Sequence, residues 1–317
     1  MNVTAREMAK KLSELTSARV YFHKSPDGDA IGSAYGLVLI LRSIGVETQA
    51  FCSDEPAPIF TPLISTIPIV ELSADAINIA VDSSNHERLG RYGNTPIDIC
   101  IDHHENNTID AKYKYVKPEA SSCSQLILEV AKELQIKITQ EMANLLYVGL
   151  ITDTSSFRSL STDAKSLEAA AELAIYGADV ARLAREYCYH KTRKRMEIES
   201  ILNRSFTYSD DGKILACFYR HSDLERIGIS DSELVGLNEI VEQDPNVEIG
   251  IVIREKKAGE CRISIRTTGN LMANEICSKL GGGGHDHAAG ATIMNKEPKE
   301  AMEMVIEVCS DYYRHCS

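Results

Sequence analysis

The sequence predicts an α/β fold, in which a helix-covered, mostly parallel sheet is joined by a helical linker to a smaller α+β domain with a mixed sheet. Three observations predict this arrangement. Short β-rich runs alternate with helical stretches in the first half of the chain, as in parallel sheets. A basic amphipathic stretch follows, and hairpin-like runs begin near residue 209. We therefore expect domains at residues 1–188 and 209–317, with a linker at 189–208.

Short apolar runs predict the strands of the first domain: ARVYFH ending at His23, ETQAFC ending at Cys52, INIAVD ending at Asp82 and IDICID ending at Asp102. Helices are expected from about Ala30 to Ile44 and, by their period, between Ser121 and Arg185. Ligands of parallel sheets bind beyond the carboxyl ends of the strands. The polar residues that end these runs are therefore candidates for a functional site.

The second half has the pattern of a smaller domain. Two hairpins are predicted, with Asp211-Gly212 and Ala258-Gly259 at their turns. A helix is expected over Leu271–Leu280, and the strand-like run ATIM and an amphipathic helix from Pro298 complete the domain. We expect the glycine tract at 281–284 to be a loop, because four glycines would lose much entropy in a packed strand or helix.

The composition indicates a globular protein that acts on small ligands. The chain has 317 residues, 44% of them hydrophobic, which is enough for at least one full core. Asp and Glu exceed Lys and Arg by 46 to 34, and the net charge of −12 would repel long duplex nucleic acid. The nine cysteines include no C-x-x-C pair and are expected to be reduced thiols. We expect a cytoplasmic protein with no membrane segment and no secretion signal.

Six Asp and His side chains from separate segments are candidate ligands of two metal ions: His23, Asp27, Asp29, Asp82, His103 and Asp153. Each residue alone could be a helix cap or a core residue, but their conjunction favours a metal site. The four carboxylates carry a charge of about −4, which two divalent cations would balance. Two metals about 3.5–4 Å apart activate water and neutralise phosphate oxygens. Mixed imidazole and carboxylate donors suit Mn²⁺, with Co²⁺ or Mg²⁺ as substitutes.

The spacing of these residues resembles the four motifs of the DHH phosphoesterase superfamily: His23-x-x-x-Asp27-x-Asp29, Asp82, Asp102-His103-His104 and Asp153. The resemblance implies that His23 and Asp27 bind one metal, and that Asp29, His103 and Asp153 bind the other. Asp82 would bridge the two metals, and the bridging water would be the nucleophile. It also implies a catalytic His104, which binds the phosphate or protonates the leaving oxygen. Asp102 would orient an imidazole.

Two segments of the second half resemble the DHH-associated C-terminal domain. They are Arg266-Thr-Thr-Gly269-Asn270 and the run Gly282-Gly283-Gly284-His285-x-x-Ala288-Ala-Gly290. The resemblance implies that Arg266 grips a substrate phosphate, and that His285 and the glycine backbone contact the nucleotide. An extra glycine and His287 depart from the family pattern. Arg158 either faces the phosphate or lies at the surface.

The whole-chain resemblance implies a Mn²⁺-dependent enzyme that hydrolyses short single-stranded RNA to nucleoside 5′-monophosphates and dephosphorylates 3′-phosphoadenosine 5′-phosphate. Alternatives are a phosphodiesterase of pApA or cyclic dinucleotides, an exopolyphosphatase or pyrophosphatase, and a non-catalytic nucleotide-binding protein. A pyrophosphatase would be expected to carry a different second domain. The oligomeric state is left open, with a homodimer among the alternatives.

Overall fold

The computed structural model describes residues 1–234 and 236–316, and the chain divides into two compact units, Met1–His190 and Lys191–Ser317. The strands of the first unit are β1 (Ser17–Tyr21), β2 (Glu47–Phe51), β3 (Ile77–Val81), β4 (Ile97–Asp102) and β5 (Ala111–Val116). Its helices are α1 (Ala5–Ser13), α2 (Gly28–Ser43), α3 (Thr61–Ile64), α4 (Cys123–Glu133), α5 (Gln140–Asp153), α6 (Ala164–Ile175) and α7 (Val180–Ala184).

The first sheet is parallel throughout, in the order β2-β1-β3-β4-β5, which confirms the predicted fold class. Its strands bury side chains on both faces, as is usual for parallel sheets. In β3, for example, Ile79 and Val81 belong to the main core, whereas Ala80 belongs to a smaller core on the opposite face. The carboxyl ends of β1, β3 and β4 lie side by side, so the residues that follow them converge.

Helices α2 and α5 pack together through glycines on one face of α2: Gly28, Gly32 and Gly36. A β-carbon on Gly32 would stand 2.4 Å from the carbonyl oxygen of Leu145. A side chain at this position would therefore separate the helices. Asp29 is the second residue of α2, and Asp153 is the last residue of α5. The close approach of the helices therefore brings these two carboxylates to the same end of the helix pair.

The second unit has a mixed sheet in the order β10-β11-β9-β8-β7-β6, which also agrees with the predicted class. Its strands are β6 (Thr207–Tyr208), β7 (Ile214–Tyr219), β8 (Ile249–Lys257), β9 (Glu260–Thr267), β10 (Gly283–His285) and β11 (Ala288–Met294). Its helices are α8 (Arg193–Arg204), α9 (His221–Ile227), α10 (Ala273–Lys279) and α11 (Pro298–Cys316). The segment predicted as a linker holds α8, whose Ile198 and Leu202 are buried in a core of this unit.

The glycine tract is not wholly a loop, and that prediction is wrong for its second half. Gly283 and Gly284 form an exposed edge strand with His285, and this strand pairs with β11 in an antiparallel ladder. An edge strand in solvent needs no side-chain packing, and its hydrogen bonds to β11 offset the entropy that the glycines lose. None of the helices in the described ranges combines the length and the apolar character needed to cross a lipid bilayer.

Candidate metal centre

The six candidate ligands meet at the carboxyl edge of the first sheet, where they form overlapping groups. His23 lies two residues beyond β1, Asp82 directly follows β3, and His103 directly follows β4. Ligating atoms within 4.8 Å of one another define three groups: His23 with Asp27 and Asp82, Asp29 with His103 and Asp153, and Asp82 with His103 and His104. The residues that the sequence singled out are thus brought together in space.

Asp82 stands between the first two groups and turns one carboxylate oxygen toward each. Its Oδ2 is 3.5 Å from Nε2 of His23, and its Oδ1 is 3.5 Å from Nε2 of His103. The backbone of Asp82 has a φ of +50°, a left-handed conformation that is uncommon outside glycine and is enriched in Asp and Asn. Its N–H donates to the carbonyl oxygen of Ile101, 3.1 Å away on β4, which fixes this turn. Such backbone strain is common at functional sites.

Asp27 has two roles, one for each oxygen. Its Oδ1 accepts hydrogen bonds from the backbone N–H groups of Asp29 and Ala30, and so caps helix α2. Its Oδ2 lies 3.6 Å from Nε2 of His23. The other ring nitrogen of His23, Nδ1, lies 2.9 Å from the carbonyl oxygen of Lys24, which leaves Nε2 for the site. Asp27 therefore caps helix α2 and also belongs to the cluster of candidate ligands.

Asp29 is held by the N-terminus of another helix. Its two oxygens accept hydrogen bonds from the backbone N–H groups of Cys123 (2.6 Å) and Ser124 (2.9 Å), in the first turn of α4. Oδ2 of Asp29 also stands 4.0 Å from Nε2 of His103, which in turn is 3.4 Å from Asp153. These amides, with the positive end of the helix dipole, stabilise a charge that is almost completely buried.

The electrostatics describe a crowded, buried cluster. Burial by itself lowers the pKa of both His23 and His103, but the close contacts and negative charges of the neighbouring carboxylates outweigh it. They raise the pKa of His23 to about 10 and that of His103 to about 11. Burial and the charge of Asp82 raise the pKa of Asp29 to about 7, and burial likewise raises the pKa of Asp153 well above its ordinary value. The pKa of Asp82 stays well below its ordinary value, because the two imidazolium groups overcome the effect of burial.

His104 differs from the other two histidines in its contacts. Its Nδ1 lies 2.7 Å from Oδ1 of Asp102, a carboxylate with no exposed surface. An ionised carboxylate only accepts hydrogen bonds, so Nδ1 carries the proton and cannot ligate a metal through a lone pair. Although Nδ1 is only 3.8 Å from Oδ1 of Asp82, the group of three that contains His104 is therefore a poor metal site. Nε2 is the ring nitrogen left for another contact.

The donor set fits a pair of divalent cations. Oδ1 of Asp82 is buried and has no hydrogen-bond partner among residues 1–234 and 236–316, which is costly unless another group binds it. Two separate groups of His and Asp donors, each close to a different side of Asp82, would satisfy two ions. Mixed imidazole and carboxylate donors suit a transition metal with open coordination positions.

The candidate substrate contacts lie mostly in the second unit. Arg266 on β9 pairs with Ala288 on β11, which pairs with His285 on β10. Residues paired in this way present their side chains on the same face, so Arg266 and His285 share one face, two strands or about 9–10 Å apart. Nε of Arg266 lies 3.4 Å from a carboxylate oxygen of Glu242. In the first unit, Arg158 donates from Nε to the carbonyl oxygen of Ser155 at 2.7 Å.

Comparison with known proteins identifies the family. Residues 17–150 match the N-terminal domain of the DHH family, and residues 211–313 match the DHHA1 domain. The bifunctional oligoribonuclease and PAP phosphatase NrnA of Thermus thermophilus is 31% identical to the chain over 289 residues, which cover 90% of this chain and 86% of that protein. The chain therefore belongs to the DHH family, and it is a hydrolase of the phosphoesterase class.

Two further proteins support this placement. The bifunctional oligoribonuclease and PAP phosphatase NrnA of Bacillus subtilis is 27% identical over 313 residues, which cover 96% of this chain and 99% of that protein. The crystal structure of an exopolyphosphatase-related protein from Bacteroides fragilis superposes with a TM-score of 0.86 at 21% identity, over 98% of this chain and 96% of that one. The structural likeness shows that the fold is shared.

Two residues contribute to the site although the sequence did not predict a role for them. Asn107 donates to the carboxylate of Asp102 at 2.6 Å, and Gly149 gives Asp29 its space against α5. A glycine within an otherwise apolar helical run is a signal for a close approach, and it could have singled out Gly149. Asn107 lies in a polar loop, where asparagine is common, and nothing in the local pattern distinguishes it.

Proposed function

We propose that this protein uses two Mn²⁺ ions to hydrolyse short oligoribonucleotides to nucleoside 5′-monophosphates, and to dephosphorylate 3′-phosphoadenosine 5′-phosphate. The observation that carries the proposal is the Asp82 carboxylate, whose two oxygens each face a different His and Asp group. The relatives from Thermus thermophilus and Bacillus subtilis, both named bifunctional oligoribonuclease and PAP phosphatase, support the choice of substrate. Co²⁺ or Mg²⁺ are possible substitutes for Mn²⁺.

His23 and Asp27 would hold one cation, Asp29, His103 and Asp153 the other, and Asp82 both. Bound there, the cations would supply positive charge to the phosphate oxygens and lower the pKa of a water molecule. In the reaction, the water oxygen bonds to phosphorus, and the bond from phosphorus to the leaving oxygen breaks. The leaving oxygen must then receive a proton.

His104 is the residue that we assign to the substrate phosphate and the leaving oxygen. Asp102 occupies its Nδ1, and the imidazole is partly exposed, with 29% of its side-chain surface accessible. The remaining nitrogen, Nε2, can therefore reach a bound substrate. Burial lowers the pKa of His104, but the hydrogen bond and charge of Asp102 outweigh it and raise the pKa above its ordinary value. The shift favours the protonated imidazole, which is the form that a general acid needs.

In the second unit, we assign Arg266 to a substrate phosphate and His285, with the backbone of Gly282, Gly283 and Gly284, to the nucleotide. The small side chain of Ala288 lies between Arg266 and His285 on the sheet, and this leaves a shallow floor between two polar groups. A guanidinium can bind a phosphate through two parallel hydrogen bonds. Arg158 is a further candidate for the phosphate.

The proposed substrates are made inside cells, and the described residues form no disulfide, as expected in a reducing compartment. We therefore infer that the protein acts in the cytoplasm. A homodimer is compatible with this function, which does not require one.

An activity panel tests the substrate assignment. The protein would be incubated with RNA of two to five nucleotides, 3′-phosphoadenosine 5′-phosphate, pApA, a cyclic dinucleotide, pyrophosphate and polyphosphate, each with Mn²⁺, Co²⁺ or Mg²⁺. We expect the highest kcat/KM on the short RNAs and on the bisphosphate, with Mn²⁺. Faster turnover of pApA or the cyclic dinucleotide would favour a second-messenger phosphodiesterase. Turnover of polyphosphate or pyrophosphate alone would contradict the proposal.

A further inference from the structure

Asn107 joins two parts of the proposed active site through one amide nitrogen. Its Nδ2 lies 2.6 Å from Oδ2 of Asp102 and 3.0 Å from the carbonyl oxygen of Ser83. Ser83 directly follows Asp82, and Asp102 contacts His104 at 2.7 Å. With its two N–H groups, Asn107 therefore links the carboxylate that holds His104 to the backbone beside Asp82.

The Asp102 carboxylate depends on this link, because each of its oxygens has a different donor. Oδ1 accepts from Nδ1 of His104, and Oδ2 accepts from Nδ2 of Asn107. The residue has no exposed surface, so water cannot replace a lost donor without a rearrangement. Loss of Asn107 would leave a buried, charged oxygen without a partner and would free the carboxylate to turn.

The amide oxygen of Asn107 indicates that the role of this residue depends on its N–H groups. Oδ1 of Asn107 is buried and has no hydrogen-bond partner in the part of the chain that the structure describes. An unpaired buried acceptor destabilises a fold, so it needs an explanation beyond packing. The amide nitrogen, by contrast, lies within hydrogen-bond distance of three acceptors: Oδ2 of Asp102, the carbonyl oxygen of Ser83 and, at 3.4 Å, Sγ of Cys100.

We propose that Asn107 is a positioning residue, which holds Asp102 so that the His104 imidazole keeps Nδ1 protonated and presents Nε2 to the substrate. The inference rests on the proposed role of His104. Asn107 touches neither the substrate nor the reacting atoms in this scheme, and it acts on His104 through Asp102. The contact between Asn107 and Ser83 sets the position of Asp102 and His104 relative to Asp82.

Proton NMR of the metal-free protein tests the link without any substrate. With ¹⁵N-labelled histidine, the Nδ1–H of His104 should give a low-field signal that is absent from His104→Ala and Asp102→Asn. In Asn107→Ala we expect this proton to exchange with water about tenfold faster, or its signal to disappear. Asn106→Ala is the matched control, since Asn106 is exposed and its side chain makes no hydrogen bond within the described residues.

Kinetics with the Mn²⁺-loaded enzyme give an independent readout. Asn107→Ala should lower kcat about 10–100-fold while KM and the affinity for Mn²⁺ stay unchanged. In a His104→Ala background, Asn107→Ala should cause no further loss, because both changes remove the same contribution. Asn107→Ser, whose hydroxyl can donate to one of the two acceptors, should have a kcat between those of the wild type and Asn107→Ala. It also provides a folded variant if the alanine variant unfolds.

An unchanged His104 proton in Asn107→Ala, together with weaker Mn²⁺ binding, would overturn the proposal, since Asn107 would then act on Asp82 through Ser83. A further loss of kcat when Asn107→Ala is added to His104→Ala would overturn the proposal as well. If the wild-type protein hydrolyses none of the substrates, the proposed function fails. The NMR comparison still decides whether Asn107 orients His104.

Discussion

A β-carbon on Gly149 would stand 2.7 Å from Oδ1 of Asp29, so helix α5 has no room for a side chain beside this carboxylate. The same β-carbon would stand 1.9 Å from the hydroxyl oxygen of Ser124. The backbone N–H of Ser124 donates to that oxygen of Asp29 at 2.9 Å. Gly149 therefore preserves the contact between Asp29 and the N-terminus of α4.

Gly149→Ala should destabilise the protein, although alanine in a helix is ordinarily better than glycine by about 0.5–1 kcal/mol. Displacement of Ser124 and Asp29 should cost about 1–3 kcal/mol, as overpacking usually does. The variant should bind one Mn²⁺ ion in place of two, as measured by calorimetric titration. Gly36→Ala is the control, because the close contacts of its β-carbon would be with the side chain of Leu146, which can rotate, and the contact with Leu145 at 4.0 Å is an ordinary one. Two ions bound by Gly149→Ala with wild-type affinity would contradict this prediction.

Asp82→Asn should keep the fold and lose most of the activity. Asparagine tolerates the positive φ of this position, so the thermal unfolding midpoint should change little. The neutral amide cannot offset two cations, and we expect turnover to fall by more than about a hundredfold, the order seen when one transition-state stabiliser is removed. Asp98→Asn is the control, since its carboxylate accepts a backbone N–H within the same sheet, at Asn78. Activity near the wild-type level in Asp82→Asn would place the chemistry elsewhere.

Metal affinity should rise with pH. In the metal-free protein the pKa values of His23 and His103 are about 10 and about 11, so both imidazoles are protonated at neutral pH. Because these values exceed the ordinary value of about 6.5, the folded protein gains stability that is complete below about pH 6.5 and is lost as the pH rises through about 10 for His23 and about 11 for His103. Metal binding requires neutral imidazole and must release protons.

Calorimetric titrations with Mn²⁺ in two buffers of different ionisation enthalpy would measure that release. We expect proton release at pH 7, and an affinity that increases between pH 6.5 and 8.5. The rise in unfolding temperature caused by Mn²⁺ should grow over the same range. An affinity that does not depend on pH would contradict the arrangement of His23 and His103 as ligands.

Arg266→Lys should raise KM about tenfold for a substrate with a terminal phosphate, and should change kcat less. An ammonium keeps the charge but cannot form two parallel hydrogen bonds to a phosphate. Arg262→Lys is the matched control, because Arg262 lies four residues away on the same strand and the same face. A larger effect from Arg262→Lys than from Arg266→Lys would move the phosphate contact along the strand.

Residues placed by regular secondary structure could be predicted from the sequence. His23, Asp82 and His103 follow apolar runs that form neighbouring parallel strands, and the geometry of such sheets brings their carboxyl ends together. The fold class followed from the same alternation of strands and helices.

The remaining features depend on contacts between distant segments. The positive φ of Asp82 is fixed by the carbonyl oxygen of Ile101 on another strand, and no local pattern encodes it. The need for Gly149 arises only where α5 meets Asp29. The prediction of a loop is wrong for Gly283 and Gly284 because these residues pair with β11. The entropy cost of four glycines, which led to that prediction, takes no account of a neighbouring strand.

The most direct test of the proposed site is anomalous diffraction from crystals of the protein grown with Mn²⁺. Two anomalous peaks should appear about 3.5–4 Å apart, one near each oxygen of Asp82. His23 and Asp27 should contact one ion, and Asp29, His103 and Asp153 the other. A single peak, or two peaks that do not contact Asp82, would contradict the shared-carboxylate centre.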